Sequence, residues 1–333
     1  MGLPTPKDVH VDALLTNISI AAKNTKYIVD QIFPIVPVMK QSDIVPKFPR
    51  SHWFRNTAKM RAPGALSARG GFAVDASDTY FCKEYAFGFE IPDELRANAD
   101  AGWDLDRQAT AFVTDKIAMA RELQFASNKF TTSVWGSDKT GGSDFTAWST
   151  YATSSPLIDI ETYKDTVEAN GMGIEPNVFV MGKQVWIVLK WHPDVIDTLY
   201  KGSISGLVTE QMFAQLTGFE KVLIGRALYT TSPEVATTAY GTTGAGTDNE
   251  TLVSYTRVWG KNALMLYVPA SPSLLEAAAG YTFAWRAAGM PGVNVIRRFR
   301  YDDRRVDVIE GASSFDQKVC LTAAGLFLSG AVA

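Results

Sequence analysis

A few residue groups in this chain have types and spacings that could do chemistry, and each lacks a partner that the chemistry needs. Lys139-Thr140-Gly141 matches one element of a serine acyl-enzyme site. The companion elements, S-x-x-K upstream and S-D-N, are absent. Gly202-Ser203-Ile204-Ser205-Gly206 has the outline of a nucleophile elbow, but its centre is Ile204, where the geometry demands the nucleophile. Gly241-Thr242-Thr243-Gly244-Ala245-Gly246 is glycine-rich, yet it lacks G-K-[ST] and a strand-to-helix setting, so it reads as a surface loop. His192, in Trp191-His192-Pro193, would need an orienting carboxylate to act as a base, and Asp194 is the nearest in sequence. A structural histidine at a helix break is the expectation.

Two charged groups remain. Asp93, Glu94, Asp100, Asp104 and Asp106 could supply a carboxylate pair or a cation site. They lack the D-x-[DN]-x-[DN]-G spacing of a calcium loop, and the plain expectation is a solvated start to a helix. Arg297-Arg298-Phe299-Arg300 with Arg304 and Arg305 is basic and aromatic enough to touch nucleic acid. Asp302, Asp303, Asp307 and Glu310 interleave with it, so a salt-bridged strand pair is expected at least as strongly. The expectation is therefore no catalytic residue, no cofactor and no metal. A hydrolase built on an acidic pair near Asp93–Asp106 is the enzyme alternative.

Composition fits a globular chain: 333 residues, 46% hydrophobic and 20% charged. No apolar run reaches the roughly 18 residues needed to span a bilayer. The start, MGLPTPKDVH, lacks the apolar stretch of a secretory signal, and Pro6 stands where a myristoylation motif needs Ser or Thr. Cys82 and Cys320 form no motif, and His10, His52 and His192 have no metal-ligand spacing. The net charge of −3 hides an asymmetry. Residues 1–70 hold ten basic and four acidic groups, a balance of +6. Residues 71–107 hold nine acidic and three basic groups, a balance of −6. A basic segment beside an acidic one points to pairing, within a chain or between neighbours.

Several elements must position these groups. Pro34, Pro37, Pro46 and Pro49 keep residues 1–50 extended after a short helix over 11–31. Residues 50–75 are polar, basic and small, which suits a projecting loop. Tyr80–Ile91 alternates as a strand. Leu105, Ala109, Phe112, Val113, Ile117, Ala120 and Leu123 recur at helical spacing, predicting one long helix over 104–130. The next stretch alternates: helix 159–169, strand 176–181, helices 183–190, 194–200 and 209–216, and strand 220–225. Residues 231–250 read as a loop. Strands are predicted over 257–268, 281–286, 293–301, 305–310 and 317–328. The middle reads as α/β, and the whole as α+β.

In this order the segments resemble the major capsid proteins of tailed bacteriophages, which share the Hong Kong 97-type fold. The most specific part is Asn177-Val178-Phe179-Val180-Met181-Gly182, then Val185-Trp186, Leu189 and His192-Pro193-Asp194. Leu216-Thr217-Gly218-Phe219 and Lys221-Val222-Leu223-Ile224-Gly225-Arg226-Ala227 follow, and later Trp259-Gly260-Lys261-Asn262-Ala263 and Gly280-Tyr281-Thr282-Phe283. The resemblance implies an N-terminal arm (1–50), an extended loop (51–80) and a peripheral domain (81–160 and 290–333) with a spine helix at 104–130. It implies an axial domain over 161–289. It also implies self-assembly into hexamers and pentamers of an icosahedral virion shell, built in the host cytoplasm around double-stranded DNA that is held non-specifically. Scaffolding, portal and decoration proteins are the implied further partners, and another virion component is the structural alternative.

The fold-like pattern begins almost at once, so the long scaffolding region that some members carry is expected to be absent. Some members crosslink a loop lysine to a neighbour's asparagine, for which Lys59 and Asn294 are the residues to consider. The site expectation is inter-subunit: loop cations Arg50, Arg55, Lys59, Arg61 and Arg69 meeting acidic Asp93, Glu94, Asp100, Asp104 and Asp106 of a neighbour.

Overall fold

A computed structural model describes residues 27–45, 54–71, 75–99, 104–171, 173–200, 206–231, 254–272, 278–286 and 294–333. The first elements are α1 (Val29–Ile32), β1 (Ile35–Val38), β2 (Ser42–Ile44), β3 (Thr79–Phe81) and β4 (Lys83–Pro92). Then come α2 (Asp93–Asn98), α3 (Leu105–Asn128), β5 (Ser137–Thr140), α4 (Pro156–Asn170) and β6 (Val178–Gly182). Three short helices follow, α5 (Lys183–Lys190), α6 (Pro193–Tyr200) and α7 (Glu210–Thr217), with β7 (Lys221–Gly225) after them. The chain continues through β8 (Leu228–Tyr229), β9 (Thr256–Arg257), β10 (Ala263–Leu266) and β11 (Gly280–Trp285). It closes with β12 (Val295–Tyr301), β13 (Val306–Val319) and β14 (Gly325–Ser329).

Two sheets organise the fold. In the first, β13 is the central strand. One of its sides pairs with β4, and its other side pairs with β12 and then β11, with β1 parallel to β11 at the far edge. The second sheet runs β5-β14-β10-β6-β7. Its inner strands β14, β10 and β6 are buried on both faces, as the run Val178–Met181 predicts for β6. Phe179 and Met181 face one apolar cluster with α4 to α7, through Tyr163, Trp186, Leu189 and Phe213. Val178 and Val180 face a second cluster holding Phe33, Phe125, Phe130 and Trp259, which ties this sheet to the arm and to α3.

Helix α3 is the long element expected. Its 24 residues span about 36 Å. The Asp104 side chain accepts from Arg107 N–H at 3.1 Å and caps its start. Ala109, Val113 and Ile117 are buried against β13 and β4, and Phe125 enters the second apolar cluster. Phe112, assigned by spacing to that face, is instead half exposed and packs edge-on against Phe87 and Phe89 of β4.

Most helix boundaries match the sequence expectation to within a few residues. Strands in the last third differ. The expected breaks around 311–316 do not occur, because β13 runs unbroken through Gly311-Ala312-Ser313-Ser314. Small residues there are what close packing under α3 requires, since a Cβ on Gly311 would sit 2.5 Å from Val113 Cγ1. The expected strand 257–268 is divided into β9 and β10, because Trp259 turns into the second cluster. The expected strand 317–328 is divided by a short 3-10 turn, Thr322–Ala324. Of the expected helix 11–31 only the end lies among the described residues, and the expected loop 231–250 lies almost wholly outside them.

The Trp259 pocket carries a stability prediction. A Cβ on Gly225 would overlap the Trp259 ring, which is itself buried and held between Phe125 and Phe130. Gly225→Ala is expected to cost about 1–3 kcal/mol, the usual penalty for overpacking a core that cannot give. Urea unfolding of the subunit measures it.

Candidate functional site

The described part of the loop, residues 54–71, is exposed at every position and forms no helix or strand. Its base is the β2–β3 pair. Its only internal backbone hydrogen bond is one tight turn, Ala65 N–H to Ala62 C=O at 3.1 Å. Arg55, Lys59, Arg61 and Arg69 all project into solvent and make no ion pair among the described residues. Residues 51–74 contain no Asp or Glu. Phe54 is 64% exposed and Leu66 84% exposed. A segment with apolar side chains in water and uncompensated positive charge has nothing among the described residues of its own chain to hold it. Arg50 lies outside the described residues.

The acidic residues behave differently. Asp93 is the bidentate partner of Arg300, at 2.9 and 2.7 Å. Asp106 accepts from Arg96 at 2.8 and 3.2 Å and lies 3.4 Å from Arg298. Asp307, opposite Arg300 in the β12–β13 register, ties the group together. Arg96, Arg298 and Arg300 all approach it, at 3.1, 3.0 and 3.3 Å. Glu90 and Arg304 make a further bidentate pair on the same hairpin. Asp104 is spent on the α3 cap, Glu94 is exposed on α2, and Asp100 lies outside the described residues. Within one subunit the structure therefore does not bring the described loop cations to the acidic group. It places arginines of its own hairpin there instead. The salt-bridged strand pair expected of Arg298, Arg300 and Asp307 is present, whereas Arg96 on α2 carries no sequence signal.

These arginines hold the Asp93 and Asp307 carboxyls below the ordinary range. For Asp93 the hydrogen bond from Arg300 is the main cause, and for Asp307 that from Arg298. A depressed folded-state value means that the cluster's contribution is complete above the ordinary 3.8 and is lost as pH falls further, through the folded value. Asp307→Asn is expected to flatten the acid limb of the stability–pH curve below about pH 4. A thermal-melting series from pH 2 to 6 checks this.

The candidate catalytic groups have structural settings. His192 is buried, and its Nδ1 accepts the Asp194 backbone N–H at 3.2 Å. Its Nε2 must then carry the proton, and it lies 2.9 Å from Ser154 Oγ, whose own hydroxyl donates to Thr150 C=O at 2.8 Å. The imidazole therefore presents an N–H to Ser154, and no lone pair with which to act as its general base. Burial also lowers the His192 pKa. Lys139, of the tripeptide that matches one element of an acyl-enzyme site, sits on β5 and faces Asp144 at 3.6 Å. Asn294 is held in its own chain, accepting from Arg121 Nη2 at 2.7 Å. No described group of three or more His, Cys, Asp or Glu is arranged to hold a metal, and no described helix is long and apolar enough to cross a membrane.

Comparisons with known proteins point one way. The chain is 26% identical over 325 residues to a major capsid protein of Burkholderia phage BcepMu, covering 96% of both chains. Among solved structures, a phage-related protein from Bordetella bronchiseptica RB50 superposes with a TM-score of 0.65 at 23% identity, covering 96% of this chain and 97% of the other. The capsid structure of cyanophage P-SCSP1u superposes with a TM-score of 0.58 at 12% identity, covering 97% and 93%. No protein-family model matches the sequence.

Proposed function

We propose, for a chain that has the Hong Kong 97-type capsid fold and is related along its length to phage major capsid proteins, that it is the major capsid subunit of a tailed-phage virion. The observation that carries this is the match of 96% on both sides, which leaves no large part of either chain unaccounted for. Subunits assemble into hexamers and pentamers of a closed shell around double-stranded DNA, in the host cytoplasm. Scaffolding, portal and decoration proteins are its further partners. The DNA contact is non-specific, since the net charge of −3 does not favour tight phosphate binding.

In this proposal the domains follow the two sheets. Residues 1–50 are the arm and 51–80 the extended loop. The first sheet with α3 is the peripheral domain, and the second sheet with α4 to α7 is the axial domain. By residue number β5 and β14 belong to the proposed peripheral domain (81–160 and 290–333) and β11 to the axial one (161–289), but β5 and β14 pair within the second sheet and β11 within the first, which supports moving these boundaries in the proposal. Arg50, Arg55, Lys59, Arg61 and Arg69 of one subunit lie on the acidic surface of the next. The arginines already seated on Asp93 and Asp106 leave Glu94, exposed on α2, as the freer acceptor among the described residues there.

The hydrolase alternative has no observation in its favour. Asp93 and Asp106 both face arginines, and the hydrogen bond from Arg300 holds the Asp93 carboxyl below the ordinary range, which leaves it unsuited to donate a proton. Light scattering coupled to size-exclusion chromatography tests the capsid proposal. Oligomers of five or six subunits, or particles of megadalton mass, are expected, and a monomer at every concentration and salt level would contradict it.

A further inference from the structure

Glu122 lies on the inner face of α3 and is fully buried. Its Oε2 accepts the backbone N–H groups of Ile28 and Val29, each at 3.1 Å. Its Oε1 accepts the indole N–H of Trp259 at 2.6 Å. The two amides belong to the start of α1, where backbone donors lack partners within the helix. Trp259 belongs to the segment leading into β10 of the second sheet. One carboxylate thus joins the arm, the long helix and the second sheet. Arg121, the preceding residue, grips the same arm, with Nη1 at 3.0 Å from both Asp30 oxygens.

We propose that Glu122 is a proton-linked latch for the arm: the arm seats over this carboxylate and shuts it from water, and the seat tightens in acid and loosens in alkali. If the arm lifts, Glu122 meets water and titrates as an ordinary carboxyl. When the arm is seated, burial disfavours the charged form, and the nearby Asp30 acts in the same direction. The three donors oppose this, and the balance pushes Glu122 up to about 7. The seated state therefore binds the proton more tightly than the lifted one. Seating is strongest below the ordinary value of 4.5 and weakens as pH rises through about 7.

The other groups facing this junction among the described residues are accounted for. Asp30 and Arg121 neutralise one another, and Asp115 accepts from the Tyr27 hydroxyl at 3.0 Å. Across Ile28, Glu210 and Arg226 are paired and line a cavity of about 350 Å³. None of these is a histidine, so a transition near neutrality belongs to Glu122.

Hydrogen–deuterium exchange of the peptide covering residues 27–33 tests the proposal, with wild type and variants compared at each pH from 5 to 9 so that intrinsic rates cancel. The wild-type protection, relative to Glu122→Gln, is expected to fall about tenfold between pH 5.5 and 8.5, a change of the size that one pKa unit supplies. An unchanged ratio across that range overturns the proposal. Asp30→Asn retains Glu122 and guards against a Gln variant whose arm fails to seat. It removes a negative charge and frees a positive one nearby, so the midpoint is expected at lower pH, and an unmoved midpoint also overturns the proposal.

Discussion

Reversing the four described loop cations (Arg55, Lys59, Arg61 and Arg69, each to Glu) is expected to abolish particle formation while leaving the isolated subunit as stable as before. The two halves of this prediction have separate grounds. All four side chains project into solvent and make no ion pair among the described residues, so their change should move subunit stability by no more than about 0.5 kcal/mol. Between subunits, each exposed charge pair contributes only about 0–1 kcal/mol. In the proposed pairing, reversal converts each attraction into repulsion, and the proposed closed shell would repeat the contact at every neighbour. Sedimentation velocity at low and high salt measures both. Raised salt should weaken wild-type assembly, because exposed charges are screened over about 8 Å at physiological ionic strength. Particles that form normally from the reversed chain, with unchanged salt dependence, would place the contact elsewhere.

The second large effect is expected at Trp259. Its ring is buried and packs between Phe125 and Phe130, and its N–H satisfies the buried Glu122. Trp259→Ala removes the packing, at about 3–5 kcal/mol for a core aromatic. It also leaves a buried carboxylate one donor short, which adds about 1–3 kcal/mol. Against a total domain stability of about 5–15 kcal/mol, much of the folded population is lost. Trp259→Phe keeps most of the packing and should show mainly the second loss. Urea unfolding of the three chains separates the contributions. A cost for Trp259→Ala below about 1 kcal/mol would mean that the second sheet and α3 do not depend on this ring.

The sequence made the long helix and the buried strand Val178–Gly182 legible because their signals are local. Heptad-like spacing and a continuous apolar run need no knowledge of neighbours. Strand β13 was harder to read. Gly311-Ala312-Ser313-Ser314 looks like a break, and it becomes a strand only because α3 packs over it. The loop was legible from composition, since 24 consecutive residues without an acid and with few core-forming side chains cannot fold in on themselves. The acidic group was read correctly as charged and incompletely as available. Arg300 reaches Asp93 from β12, about two hundred residues away in sequence, so only the folded chain shows that Asp93 is already engaged. Glu122 carried no sequence signal. A glutamate on a helix is ordinary until the arm and Trp259 converge on it.

Electron microscopy of the purified, full-length chain tests the central claim most directly. The account predicts closed shells, or rings with five- or six-fold symmetry, in low-salt buffer. A field of compact, separate monomers that persists across protein and salt concentration would contradict it.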